Sequence, residues 1–158
     1  MTVSLLPTRL NDIVASATTV IGGDAIHECE NNQSTPAELD DIMILGDSDK
    51  LIQIALNFLS HAVKYGEGAA IEIYFSKTGN NEITIVVEDF GSGIDNSLHD
   101  EIFQAYTRLA NVEQRLTQGT GLGLCLVAEL TKLQHGRTWL ESKLGFGSRF
   151  YAAFPTLK

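Results

Sequence analysis

Cysteine, proline and tryptophan are scarce in this sequence: two, three and one among 158 residues. Cys29 and Cys125 lie far apart and show no metal-type spacing, which excludes a disulfide scaffold and leaves ordinary reduced thiols. Long apolar runs are absent too. None approaches the ~20 residues that span a bilayer, and the N-terminus lacks the basic start and apolar core of a signal peptide. Positive charge is thin, with 11 Lys and Arg against 20 Asp and Glu and a formal net charge of -9. No basic cluster offsets that excess, so the surface repels nucleic-acid phosphates and no nucleic-acid partner is expected. Any anionic ligand must be held by local donors. The expectation is a soluble, cytoplasmic chain with no membrane insertion of its own; whether a parent protein is membrane-anchored stays open.

What is present is an ordinary globular balance, 44% hydrophobic and 20% charged, at a length that suits one domain over residues 1–158. Val3–Leu6 reads as a short strand, and Pro7 and Thr8 lead into a helix around Leu10–Ala17. Ala25–Glu30 and Ile42–Leu45 are strand candidates, separated by a polar stretch containing Pro36. Gly46-Asp47-Ser48 offers a turn and a helix N-cap. From Lys50 to Tyr65, Leu51, Ile54, Ala55, Phe58, Leu59, Ala62 and Val63 recur three and four apart, which predicts the clearest amphipathic helix. Ala70–Ser76 and Glu82–Glu88 alternate around Gly79-Asn80-Asn81 and predict a hairpin. A short helical segment near Leu98–Tyr106 sits in a long polar connection, and a second strong helix runs from about Thr120 to Leu133. Arg137–Ser142 and Ser148–Phe154 form a final hairpin turning at Leu144–Gly147. A connection as long as 95–118 inside a compact domain is functional or mobile, and its polar composition predicts mobility.

Three elements carry chemistry. In Asp89-Phe90-Gly91-Ser92-Gly93-Ile94, an aspartate at a strand end can accept from an exocyclic amine while two glycines let backbone approach a flat ring. Taken alone, such a segment is equally an ordinary turn after a strand. Gly119-Thr120-Gly121-Leu122-Gly123-Leu124 opens a helix, where glycine amides and the helix dipole favour phosphate. No strand leads into it, no βαβ unit surrounds it, and it lacks the Lys-Ser/Thr of a P-loop, so neither a dinucleotide fold nor a P-loop is supported. Asn57, His61 and Lys64 share one helix face at i, i+4 and i+7 and can serve a metal and phosphates, or simply face solvent.

Taken together, the order and spacing of these elements resemble the Bergerat-type ATPase superfamily of histidine kinases, gyrase B, the Hsp90 chaperone and MutL. Within it the chain is most similar to sensor histidine kinases. Residues 47–66 look like their N box, Asp89 to Ile94 like the G1 box, Ile102 to Leu109 like the F box of an ATP lid at 95–118, and Gly119 to Leu124 like the G2 box. The resemblance covers roughly residues 40–154, all four boxes in order. It implies an α/β (α+β) two-layer sandwich, a mixed and mostly antiparallel sheet covered on one face by about three helices.

The resemblance also implies roles. Asp89 would accept from the adenine amino group, and Gly91, Gly93 and Ile94 would let the chain pass the base. Asn57 would stand on the Mg²⁺ and phosphate side, with Lys64 and Tyr65 facing phosphates or ribose. Phe103 and Tyr106 would anchor the lid, and Arg108 would reach a phosphate or the partner domain. Gly119, Thr120, Gly121, Leu122, Gly123 and Leu124 would shape the lid's end and bring amides to the phosphates. Asn57, Lys64 and Arg108 would be the catalytic set, acting through positioning and charge neutralisation on ATP and Mg²⁺.

His61 departs from the family pattern, which has a second asparagine there. Mg²⁺ prefers oxygen, so an imidazole is a poor exchange. Either Asn57 and phosphate oxygens hold the metal alone, or the metal is held weakly and catalysis is low, or His61 donates directly to a phosphate. His27, His99 and His135 lack the surroundings of a phosphoacceptor and read as surface or structural residues. The dimerisation and phosphoacceptor histidine domain is therefore expected elsewhere, upstream in a parent chain or on a separate protein, with a response regulator receiver domain as indirect partner. The isolated chain would be a monomer that binds nucleotide and does not autophosphorylate. The rivals are an anti-sigma-type serine kinase or ATPase on the same fold, and a degenerate domain acting as a nucleotide-binding or interaction module.

Overall fold

The computed structural model describes residues 3–21, 26–28, 43–65, 70–79, 81–93 and 121–156. The expected helical segment near 98–106 and the connection at 95–118 lie outside them. The first strand, β1, spans Leu6–Arg9, later than the expected Val3–Leu6. It pairs antiparallel with β3 (Met43–Gly46), from Leu6↔Gly46 to Arg9↔Met43. Pro7 is tolerated because this two-stranded sheet leaves an edge on which a missing N–H costs no ladder bond. Thr8 fixes the register, its hydroxyl donating to the Gly46 carbonyl at 3.1 Å. Helix α1 follows at Leu10–Ile21, a turn longer than its apolar spacing marked, and buries Leu10, Ile13, Val14 and Ala17.

Asp47 starts the longest helix, α2 (Ser48–Tyr65). Its carboxylate accepts from the backbone N–H of Lys50 at 3.4 Å and of Ser4 at 2.9 Å, capping the helix and tying down the N-terminal segment. The Ser4 contact, foremost, holds the Asp47 carboxyl below the usual carboxylate range. Leu51, Ile54, Ala55, Phe58, Leu59 and Ala62 form the buried stripe, as the spacing predicts. Val63 shares that spacing yet is exposed, because it falls at the stripe's edge.

The main sheet has five strands in the order β2-β4-β5-β7-β6: β2 (Ile26–Glu28), β4 (Ile71–Gly79), β5 (Glu82–Asp89), β7 (Gly147–Pro155) and β6 (Arg137–Lys143). Only β2 and β4 run parallel, so the sheet is mixed and mostly antiparallel. Its inner face presents Ile71, Ile73, Phe75, Ile83, Ile85, Val87, Phe150, Ala152 and Phe154 to α1, α2 and α3 (Gly121–Leu133), forming one core. Among the described residues this is a two-layer α/β sandwich with three helices on one side, the architecture expected from the sequence.

Helix α3 ends with His135 at φ 63° and Gly136 donating to the Thr131 carbonyl at 2.9 Å, a Schellman-type stop with His in the left-handed position. Gln134, only 1% exposed, joins this end to the start of α2: its Nε2 donates to the Leu130 carbonyl at 3.0 Å and its Oε1 accepts from the Asp47 N–H at 2.8 Å. The outer sheet face is polar and aromatic. Trp139 and Tyr151 stack at 4.8 Å, Arg137 lies over Trp139 and pairs with Glu82 at 2.8 Å, and Arg149 pairs with Glu88 at 2.7 Å.

Candidate functional site

Strand alternation decides which side chains meet at the end of the sheet. Asp89, Ser148 and Ser142 occupy one rung of β5, β7 and β6 and point to the helix side, one pleat beyond the core residues Val87, Phe150 and Leu140. Asp89 is 3% exposed, although its charge would prefer water. Burial pushes its carboxyl above the ordinary value, against the backbone N–H groups of Gly91 and Ser148, which favour the charged form. The Gly91 N–H donates to Asp89 Oδ1 at 3.0 Å, so the loop orients the carboxylate. Ser142 and Ser148 join hydroxyls at 2.8 Å and close the rung. A buried, oriented acceptor at the mouth of a core suits a ligand group that donates hydrogen bonds.

The C-terminal half of α2 lies over the neighbouring rung. Phe58 and His61 both contact the Phe150 ring, at centroid distances of 5.6 and 4.8 Å. His61 meets it edge-on at 63°, with Nδ1 buried. Asn57, one turn earlier, holds a buried Nδ2 that meets no hydrogen-bond partner among the described residues. Such an orphaned donor is the kind of group a bound anion or water satisfies. Lys64 and Tyr65 close the last turn of α2.

Gly121, Leu122, Gly123 and Leu124 form the first turn of α3, whose leading amides have no intrahelical acceptor. Leu124 is buried in the core, so its side chain serves packing. Ile94, Phe103, Tyr106, Arg108, Gly119 and Thr120 lie outside the described residues. The structure thus brings Asn57, His61, Asp89, Gly91 and Gly93 to one end of the sheet. Gly147, read from sequence as the end of the hairpin turn, and Ser148, read as the start of its second strand, join them. The Gly145-Phe146-Gly147-Ser148 pattern was the available signal, and only the β5–β7 register shows that it abuts Asp89.

A cavity of about 490 Å³ opens at the same end, lined among others by Glu88, Phe90, Glu141, Lys143, Phe146 and Arg149. Asp89, Ser142, Gly147 and Ser148 line it as well, so the cavity reaches the rung that carries Asp89 from the side where Glu88, Glu141 and Arg149 alternate to the outer face.

Among the described residues no group of three or more His, Cys, Asp or Glu is placed to hold a metal. That excludes a protein cage there but not a Mg²⁺ held largely by substrate phosphates and water, which needs only one or two protein oxygens. Asn57 offers one amide oxygen and fits that requirement. The His61 ring is committed to Phe150 and adds a nitrogen that Mg²⁺ does not favour.

Comparison with known proteins agrees with this fold. The pattern of the family described as "Histidine kinase-, DNA gyrase B-, and HSP90-like ATPase" matches residues 46–158. The chain is 31% identical to the adaptive-response sensory kinase SasA of Synechococcus sp. (strain JA-2-3B'a(2-13)), over 78% of this chain and 32% of that protein. It is 32% identical to the autoinducer 2 sensor kinase/phosphatase LuxQ of Vibrio vulnificus (strain YJ016), over 75% of this chain and 14% of that one. The chain therefore spans about a third of these curated relatives or less. Among solved structures, full-length ShkA in complex with AMPPNP superposes on the whole chain with a TM-score of 0.79 at 25% identity, using 32% of its own length. The mycobacterial sensor histidine kinase MprB shares the fold with a TM-score of 0.76 at 19% identity, over 97% of this chain and 98% of that structure.

Proposed function

This chain belongs to the histidine kinase-, DNA gyrase B- and HSP90-like ATPase family, as an ATP-binding domain of the sensor histidine kinase type, and we propose that it binds Mg-ATP and transfers the γ-phosphoryl group to a histidine on a dimerisation and phosphoacceptor domain. The observation that carries the reading is Asp89: a buried carboxylate at a strand end, oriented by the Gly91 N–H, in the position where the family's order of motifs puts the base-recognising residue. A buried acceptor favours adenine, whose amino group donates there, over guanine, whose carbonyl would repel it.

In this reading the residues divide the work by place. Asp89 binds and orients the base, and the Gly91 N–H keeps its oxygen aimed. Asn57 and the leading amides of α3 serve the phosphates, and the family resemblance assigns Lys64, Tyr65, Phe103, Tyr106 and Arg108 to the same nucleotide. Asn57 would hold Mg²⁺, which when bound neutralises phosphate charge. The transfer breaks the bond between the γ-phosphorus and the β–γ bridging oxygen and forms one to a ring nitrogen of the acceptor histidine, leaving ADP. No carboxylate stands at position 57 to activate water, which disfavours hydrolysis as the main outcome.

One observation favours a second reading. His61 packs on Phe150, so the polar face of α2 supplies one metal-compatible oxygen fewer than the family pattern, as a nucleotide-binding or interaction module with little catalysis would. Calorimetric titration with a non-hydrolysable ATP analogue, with and without Mg²⁺, tests the nucleotide site. Incubating the chain with ATP and a histidine phosphoacceptor domain then tests the transfer. Binding that needs Asp89, together with labelled acceptor, supports the kinase; binding without labelling supports a nucleotide-binding module; no binding removes the kinase and leaves the interaction module.

A further inference from the structure

The end of β5 at Asp89 and the segment that follows it to Gly93 are braced from outside. The turn between β6 and β7 reaches across and holds them at three points. The Gly145 N–H donates to the Ser92 carbonyl at 2.8 Å. Gly93, at φ 79°, passes so close to Lys143 that an added Cβ would collide with that residue's carbonyl oxygen and come within 3.2 Å of the Leu144 Cα. Gly147, at φ 101°, lies against Asp89 itself: an added Cβ would strike the Asp89 carbonyl oxygen and sit 2.9 Å from the Phe90 Cα. All these obstacles are backbone atoms, which cannot swing away as a side-chain end does. Gly93 therefore has a structural reason to be glycine besides any approach to a ligand.

We infer that the 143–147 turn is the positioning element for base recognition, touching the Asp89 segment through Gly147 against Asp89 and Lys143 against Gly93, with the Gly145 N–H as its hydrogen bond. The inference rests on the nucleotide reading and deepens it, because it names what sets Asp89 and how nucleobase selectivity can be changed from outside the cleft. The tip side chains Leu144 and Phe146 are 59% and 69% exposed, so they contribute little to holding the turn in place. The backbone contacts do that. A carboxylate displaced by a fraction of an ångström loses its aligned bond to the base, and a charged hydrogen bond of this kind is worth about ten- to a hundredfold in affinity.

The test compares Gly147→Ala with Gly136→Ala. Gly136 is equally tight, its added Cβ colliding with the Ala153 carbonyl oxygen, but it lies at the opposite end of β6 and β7. Both variants lose thermal stability. Only Gly147→Ala is expected to weaken ATP binding by about ten- to a hundredfold and to narrow the ATP-over-GTP preference. Gly145→Ala is the milder probe, because its Cβ meets nothing within 4 Å and only the φ of 87° is strained. Gly145→Asn, which tolerates positive φ, should restore selectivity. Hydrogen exchange at the Gly91 amide, bonded to Asp89 Oδ1, reads the same displacement without nucleotide: faster exchange in Gly147→Ala and Gly145→Ala than in Gly136→Ala is expected. Unchanged Gly91 exchange and unchanged selectivity in a folded Gly147→Ala or Gly145→Ala protein overturn the inference while nucleotide binding stands. If the unsubstituted chain binds no nucleotide, the functional reading fails, and the Gly91 exchange alone decides whether the turn sets Asp89.

Discussion

The His61 imidazole stands edge-on to the Phe150 ring, 4.8 Å between centroids and 63° between planes. The residue that departs from the family pattern is therefore built into the junction of α2 and the sheet. Replacing it by the family's asparagine trades an aromatic contact for an oxygen donor. His61→Asn is expected to lower stability by about 0.5–1.5 kcal/mol and to increase the Mg²⁺-dependence of nucleotide binding. Chemical denaturation and paired titrations with and without Mg²⁺ check both parts; an unaltered Mg²⁺ response would show that Asn57 and the phosphates already hold the metal alone.

Asp89 sets function against stability. Its carboxyl is raised by burial, so the folded chain takes up a proton there more readily than the unfolded chain. The stability this group contributes is full below the ordinary value of 3.8 and is lost as pH rises through its folded pKa. Asp89→Asn removes that loss and can still accept from Gly91, so the variant should unfold no more easily at pH 7 while losing affinity for ATP. Nucleotide affinity of the unsubstituted chain should fall as acid protonates Asp89. Asp47 runs the other way: its lowered pKa supplies stability above 3.8 that disappears as pH drops through the depressed value. Thermal melts across the acid range, on the chain and on Asp47→Asn, separate the two.

On the outer face, Arg149 Nε serves both Glu88 oxygens, at 2.7 and 3.1 Å, and the Glu88 side chain is only 9% exposed. Tyr151, with a pKa pushed up to about 12 chiefly by burial and by its bond to Glu141, stays neutral beside them. Arg149→Met leaves a buried carboxylate without its cation and should cost about 1–3 kcal/mol. Glu88→Gln should cost less, because the guanidinium is half exposed and finds water. A double-mutant cycle by urea denaturation measures the coupling, and near-zero coupling would reduce the pair to a surface contact.

Gln134 links the end of α3 to the start of α2 through a completely buried amide. Gln134→Leu keeps the volume but strips the Asp47 N–H of its acceptor, so a loss of about 1–3 kcal/mol is expected. Hydrogen exchange should speed up at Asp47 more than at Leu59 in mid-helix.

Local chemistry was legible in the residues themselves. The apolar stripe of α2, the hairpin around Gly79 and the final hairpin follow from spacing and turn residues, because these interactions join residues of one helix or of two consecutive strands. Asp47 as helix cap, Asp89 at a strand end and Asn57 with His61 on one helix face belong to the same class. The N-terminal strand lies three residues beyond the Val3–Leu6 that its residue types suggest, since its register depends on pairing with Met43–Gly46.

Sequence by itself determined which elements form and which side chains can carry the chemistry, since both depend on local periodicity and residue type. Tertiary structure alone decided that Gly147 presses on Asp89, that Ser148 shares its rung and that His61 packs on Phe150. Those contacts join residues 58 to 89 positions apart in the chain, and only the sheet order and register, fixed by burying one common core, bring them together.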